Sequence, residues 1–244
     1  MKKKNLLFAL FTLGMGVGFF SCISGGNISN FPASPAVVEL NEGIGGTAIG
    51  TPYGYCAAPG MDSYRGKCVM LSFSVDYDHQ PSTLFATASN IQVYETIPQG
   101  TFEMAPDSVR IDDYTLPVSS SAVGQWNSNV IKSPYYGGKI FIGIACKDSN
   151  PKFRLVYNAQ ESDSTGVKNL YLLGQPSASS DTISKNYNYA FDIMDLIQYA
   201  GRDTTITDDY GTVSYRYVKA NLKYFTGMSD DPYSTGPFLF TVFQ

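Results

Sequence analysis

The chain has 244 residues, of which 14% are aromatic and only 16% charged, with 23 glycines and 13 prolines. That charged fraction lies below the roughly 25% usual for soluble domains, and the composition as a whole excludes a disordered or collagen-like chain. A single histidine, His79, excludes a multi-histidine metal centre built within one chain.

Lys2, Lys3 and Lys4 precede an uncharged stretch from Asn5 to Ser21, the charged and apolar regions of a secretory signal. The run is shorter than the ~20 apolar residues a bilayer core demands. It ends in Phe19-Phe20-Ser21-Cys22, and Ile23-Ser24-Gly25-Gly26-Asn27 follow at once. A small residue placed before Cys resembles the precursor of a bacterial lipoprotein of the Bacteroidota type. Phe19 and Phe20 stand where that family more often has Leu and a small residue. The resemblance implies cleavage after Ser21 and lipidation of Cys22, which makes the bilayer itself a partner. Residues 1–21 are then a lipoprotein signal peptide. Family members with an acidic run just after the Cys resemble surface-exported proteins; here Ile23 to Asn27 hold no acid, which favours the periplasmic side of the outer membrane over the cell surface.

Loss of Lys2, Lys3 and Lys4 takes 17 basic residues to 14 against 21 acidic ones, so the mature chain carries −7. An acidic, sparsely charged protein has no electrostatic footprint for phosphate backbones, and nucleic acid is not expected as a partner. Cys56, Cys68 and Cys146 remain as thiols. An oxidising compartment permits one disulfide among three, the sequence-near pair Cys56 and Cys68 being the candidate, but no paired spacing is evident and reduced, structural cysteines are the simpler expectation.

Residues 22–34 are rich in Gly, Ser, Asn and Pro and read as a flexible tether. An N-terminal β-domain is expected over 35–118. Pro35 to Leu40 reads as its first strand, and Gly43 to Gly50 as a glycine-rich stretch without the Gly-Lys-Ser/Thr of a phosphate loop, so no cofactor is implied. Val69, Leu71, Phe73, Val75 and Tyr77 alternate with Met70, Ser72, Ser74 and Asp76, a half-buried strand. Asn90 to Ile97 and Thr101 to Met104 are further strands around a Pro98-Gln99-Gly100 turn, and Val109 to Leu116 is a weaker one. The Ser-, Asn- and Gly-rich stretch 119–138, with the single Trp126, reads as a linker or long loop.

A C-terminal β-domain is expected over 139–244. Lys139 to Cys146, Phe153 to Tyr157 and Val167 to Leu173 are its first strands. Phe191 to Ala200, with Ile193, Leu196, Ile197 and Ala200 at spacings of three and four and Gly201 behind them, predicts one short helix near 191–200. Within Thr212 to Phe225 the apolar parity changes, which predicts a bulge near Tyr217. Phe238 to Phe243 is apolar on both faces, as an interior strand would be.

The fold class is therefore all-β, a β-sandwich and/or a small β-barrel. Its size, its lipid signal and its two strand-rich halves resemble the NigD-like lipoproteins of Bacteroidota, whose members pair a small N-terminal barrel with a C-terminal sandwich. The resemblance rests on architecture, and no functional residue is carried over from it.

Chemistry concentrates in Asp76-Tyr77-Asp78-His79-Gln80-Pro81. Asp76, Asp78 and Gln80 share one parity and could converge on a hard cation or ligand, or His79 could act as a base oriented by an aspartate. The same residues also suit a solvated strand end. Glu161 to Gly166 imitates the opening of an EF-hand loop, but Leu172 stands where a bidentate Glu belongs. The pairs Asp112/Asp113, Asp208/Asp209 and Asp230/Asp231 read as turns, although carboxylate pairs also serve hydrolases. Tyr53, Tyr55, Tyr64, Tyr114, Trp126, Tyr135 and Tyr136 could stack on a glycan or pack in a core. The expected function is a membrane-tethered envelope lipoprotein that acts as a binding or accessory protein without catalysis. Its partner would be a glycan or an envelope protein. A glycan-binding module and a carboxylate-dependent hydrolase are the alternatives.

Overall fold

The structure, a computed structural model, describes residues 27–82, 84–105, 116–123, 135–159, 166–177, 180–208, 211–227 and 231–243. Two units divide the chain, Met1–Ile97 and Pro98–Gln244. Both are built from strands, and the expected all-β class is met.

In the first unit, β1 (Ile28–Asn41), β2 (Gly46–Thr51), β3 (Gly54–Ala57), β4 (Cys68–Asp76) and β5 (Ser89–Ile97) form one sheet in the order β3-β2-β1-β4-β5. Strand β4 owes its place to its alternation: Val69, Leu71, Phe73 and Val75 are at most 2% exposed and meet Ala36, Val38 and Ile49 in a common core. Each such side chain contributes about 1.5–3 kcal/mol through burial. Gly45, at φ +73°, closes the β1–β2 turn in a left-handed conformation that glycine alone adopts without strain. What the sequence offered as a glycine-rich loop is thus a turn followed by β2.

The sheet curls until its two edges meet. Ala57 N donates to Ala86 O and Ala88 N to Ala57 O, both at 2.8 Å, which ties β3 to the lead-in of β5 in a single parallel bridge, Ala57 to Thr87. This is a partly open five-stranded barrel of the OB kind, curled and bridged without a continuous closing ladder.

Strand β1 corrects one expectation. Residues 28–34, assigned to the flexible tether, are its first half and pair with β4 from Ile28 opposite Asp76 onward. The ring of Phe31 stacks on Phe73 at 4.5 Å and meets Tyr53 at 5.0 Å, so an apolar anchor holds a stretch whose composition looked mobile.

In the second unit, β6 (Thr101–Ala105), β10 (Lys152–Asn158), β11 (Lys168–Gln175), β13 (Arg202–Asp208) and β14 (Gly211–Tyr224) lie in the order β13-β14-β11-β10-β6, with β15 (Tyr233–Phe243) paired to β14. A second sheet holds β12 (Ser180–Asp192), β9 (Lys139–Asp148) and β7 (Val118–Val123), with β8 (Tyr135–Tyr136) beside β9. Ile140, Ile142, Ile144 and Phe191 from the smaller sheet pack with Leu155, Leu170, Leu172, Val218 and Phe240 from the larger. The unit is a sandwich.

Here sheet membership moves the seam. Thr101–Ala105 pairs in parallel with β10, so residues 98–105, expected in the N-terminal domain, belong to the second unit. The stretch 119–138, expected as linker, contributes β7 and β8 to the smaller sheet.

The helix is shorter than expected. It is α1 (Met194–Ala200), because Tyr189 to Asp192 finish β12. Asp192 Oδ1 accepts from Met194 N at 3.0 Å, Leu196 and Ile197 are buried in the core, and Gly201 ends the turn with its N donating to Ile197 O at 2.9 Å.

No bulge occurs at Tyr217, since β14 runs in unbroken register with β13 and with β15 through that position. Tyr215 and Tyr217 simply lie on the outer face, while Val218 enters the core. The register shift falls instead between Ala220 and Leu222. Nor is β15 interior: among the described residues it pairs with β14 alone, and its Leu239 is 39% exposed.

Candidate functional site

Strand β4 delivers Asp76 to its last position, and the chain turns directly after it. Asp76 Oδ1 accepts from Asp78 N at 3.0 Å, and the Nδ1–H of His79 donates to Asp76 Oδ2 at 2.9 Å. Asp78 faces another way. Its two carboxylate oxygens accept from the backbone N and the side-chain Nδ2 of Asn27, each at 3.1 Å. Gln80 spans the turn, donating to Asp76 O and accepting from Thr87 N at 2.6 Å. Asp76, Asp78 and His79 are therefore brought together, but each carboxylate is turned to its own protein donor.

The electrostatics match that geometry. The hydrogen bond from His79 holds the Asp76 carboxyl below its usual range, helped by the amide of Asp78 and the charge of His79. The same bond, with the charge of Asp76, raises His79 above its ordinary value. The His79 side chain is 82% exposed, so nothing shields a reacting group from water. Among the described residues, no group of three or more His, Cys, Asp or Glu is placed to share a metal ion.

The aromatic candidates divide as follows. Tyr53 and Tyr64 pack against the first core, and Lys67 Nζ lies 5.5 Å from the Tyr64 ring centroid. Tyr135 is buried in the second core, and Tyr136 stacks on Phe141 at 5.0 Å. Among the described residues of this set, Tyr55 is exposed. Tyr114, Trp126, Cys22 and the acidic stretch 161–165 lie outside the described residues, as do Asp112, Asp113, Asp209 and Asp230.

Two polar features had no signal in the sequence. Asp148 is 1% exposed and sits at the end of β9. Its carboxylate accepts from Asn150 N at 2.8 Å and from Ser177 N and Oγ at 2.7 Å each. Burial alone would raise its pKa, but these hydrogen bonds outweigh burial and lower it. Asp148 fastens the β9–β10 turn to the segment after β11. The second feature is a cavity of about 60 Å³ among Gly166, Ala200, Arg202, Tyr217, Val218 and Lys219. It admits a few waters and is far smaller than the ~300 Å³ at which small-molecule pockets begin.

The three cysteines are buried and form no disulfide. Cys56 belongs to the first core, whereas Cys68 precedes Val69 and so points to the other face of β4. The two side chains leave their sheet on opposite sides, which removes the proposed staple.

No protein-family model matches the sequence, and no curated protein matches it. Solved structures do. A DUF1344 protein of unknown function from Bacteroides vulgatus superposes with a TM-score of 0.51 at 11% identity, covering 88% of this chain and 91% of the other. A candidate lipoprotein from Bacteroides fragilis matches with a TM-score of 0.51 at 12% identity, over 88% of this chain and 98% of its own. A NigD-like immunity protein from Bacteroides caccae covers 86% and 96% at 11% identity, but its TM-score of 0.47 is too low to carry an argument. At these identities the matches establish the fold alone. The likeness to Bacteroides lipoproteins expected from the sequence is met at that level.

Proposed function

We propose that the mature protein is an envelope lipoprotein, held in the outer membrane by acylated Cys22 on the periplasmic side, that binds or assists an envelope partner without catalysing a reaction. The observation that carries the anchor is Ser21-Cys22 behind a lysine-tipped apolar segment; a fold shared with a candidate lipoprotein supports it. The non-enzymatic part is supported by the strand-end cluster, whose oxygens and imidazole are engaged with one another and with Asn27.

One acyl chain binds a bilayer only marginally, and two or more make attachment stable. Cys22→Ala should therefore move the protein from the membrane fraction to the soluble fraction of cells and abolish incorporation of an alkyne-labelled fatty acid. Unchanged membrane attachment of that variant would overturn the lipoprotein reading. Crosslinking in intact cells, followed by mass spectrometry, tests the partner, and turnover of a glycan panel that Asp76→Asn abolishes would replace the binding reading with a hydrolase.

A further inference from the structure

We infer that the end of the first unit from which the chain emerges is a membrane-docking surface, with Ile28, Tyr77 and Leu84 seated in the headgroup layer of a phospholipid bilayer. The inference rests on lipid attachment at Cys22.

The length of the tether carries it. The described chain starts at Asn27, whose carbonyl accepts from Tyr77 N at 3.0 Å and whose own donors hold Asp78. Five steps separate Cys22 from Asn27, and at ~3.5 Å per residue they span at most about 18 Å. A body of roughly 70 residues has a radius of gyration near 11 Å and hence a diameter of about 28 Å. A path from its far side back to Asn27, around half the circumference, runs to about 45 Å on the same scaling. The tether cannot cover that distance, so the end that carries Asn27 is held within about 18 Å of the bilayer.

The residues at that end have suitable chemistry. Ile28 opens β1 opposite Asp76, the last residue of β4. Tyr77 follows, and Leu84 lies in the β4–β5 connection, which leaves and rejoins the sheet at this same end, where Ser89 pairs with Ser74. The three are 53%, 49% and 53% exposed. Aliphatic side chains beside a tyrosine suit the boundary where acyl chains meet headgroups, and the Tyr77 hydroxyl is already partly desolvated, which raises its pKa. Asp76 and Asp78, at the same end, have their carboxylates hydrogen-bonded to His79 and Asn27. Leu40, 64% exposed, lies twelve residues along β1 from Ile28 and serves as an internal control.

The test uses the full-length lipidated protein with Ile28→Cys, Leu84→Cys or Leu40→Cys, each labelled with a polarity-sensitive fluorophore. The native thiols are buried and do not compete. In phosphatidylcholine vesicles, labels at 28 and 84 should shift to the blue and lose emission when doxyl-labelled lipid is included, while the label at 40 should do neither. Equal behaviour at all three positions, in protein that floats with the vesicles and whose Cys22 carries acyl chains by mass spectrometry, would overturn the docking surface and leave the anchor standing. Protein that neither floats nor carries acyl chains would overturn both.

Discussion

At the scale of single residues, the Asp76–His79 pair shows how a suggestive motif can be occupied with structure. Its titration has a definite sign. His79 is raised above 6.5, so its contribution to stability is fully present below the unfolded-state value and is lost as pH rises through the folded one. Asp76 is lowered below 3.8, so its contribution is present above the unfolded value and is lost as pH falls through the folded one. Both groups are open to solvent, where such pairs are weak, and the place to observe them is the imidazole itself. Because the chain has one histidine, its ring-proton resonance should titrate with a midpoint above 6.5, and Asp76→Asn should bring that midpoint down. An unchanged midpoint in the variant would show that the bond does not form. The sequence pointed to Asp76, Asp78 and His79 as one cluster, but it could not reveal Asn27, which, 51 positions earlier, turns the Asp78 carboxylate away. The same limit hid Asp148, whose partner Ser177 lies 29 residues on.

Among the elements, legibility followed the strength of the local pattern. Strand β4 was plain because one parity is apolar for its whole length. Strand β12 was missed because residues 183–186 are exposed without alternation, Ile183 at 74% beside Ser184, Lys185 and Asn186, and its apolar end, Tyr189 to Phe191, merges with the helical spacing of Leu196 and Ile197. The helix stop was legible, though for a different reason than the usual left-handed cap. Gly201 has φ −70°, and it is required because a Cβ there would lie 2.2 Å from Ile197 O and 2.7 Å from the Arg216 side chain. Arg216 takes advantage of this close approach, its Nε donating to Ile197 O at 3.0 Å and its Nη2 to Gly201 O at 3.1 Å. Arg216→Ala should cost about 2 kcal/mol, as expected for losing two charge-assisted bonds. Gly201→Ala should cost at least about 1–3 kcal/mol through overpacking. Because the clash with Ile197 O does not involve Arg216, the double variant should remain as destabilised as Gly201→Ala or more so. Urea unfolding followed by circular dichroism measures all three, and recovery of stability in the double variant would show that the arginine alone is what the added methyl meets.

For the molecule as a whole, the division between Ile97 and Pro98 had no signal in the composition. Low-complexity sequence at 119–138 looked like a linker, yet strands are assigned by pairing, and the parallel contact of Thr101–Ala105 with a strand 50 residues later has no local signature. The two hydrophobic cores share no residue, and the buried thiols are distributed between the units: Cys56 and Cys68 in the first, Cys146 in the second. Burial pushes the Cys56 thiol up to about 12, and only a thiolate reacts readily. Each cysteine therefore becomes reactive only when its own surroundings open. In moderate urea, iodoacetamide should modify Cys56 and Cys68 at one common rate and Cys146 at another, as read from peptide masses over time; a single rate for all three would mean that the units open together. In an oxidising compartment the same property acts as a clock, since each thiol is exposed to damage only for the fraction of time that its unit spends unfolded.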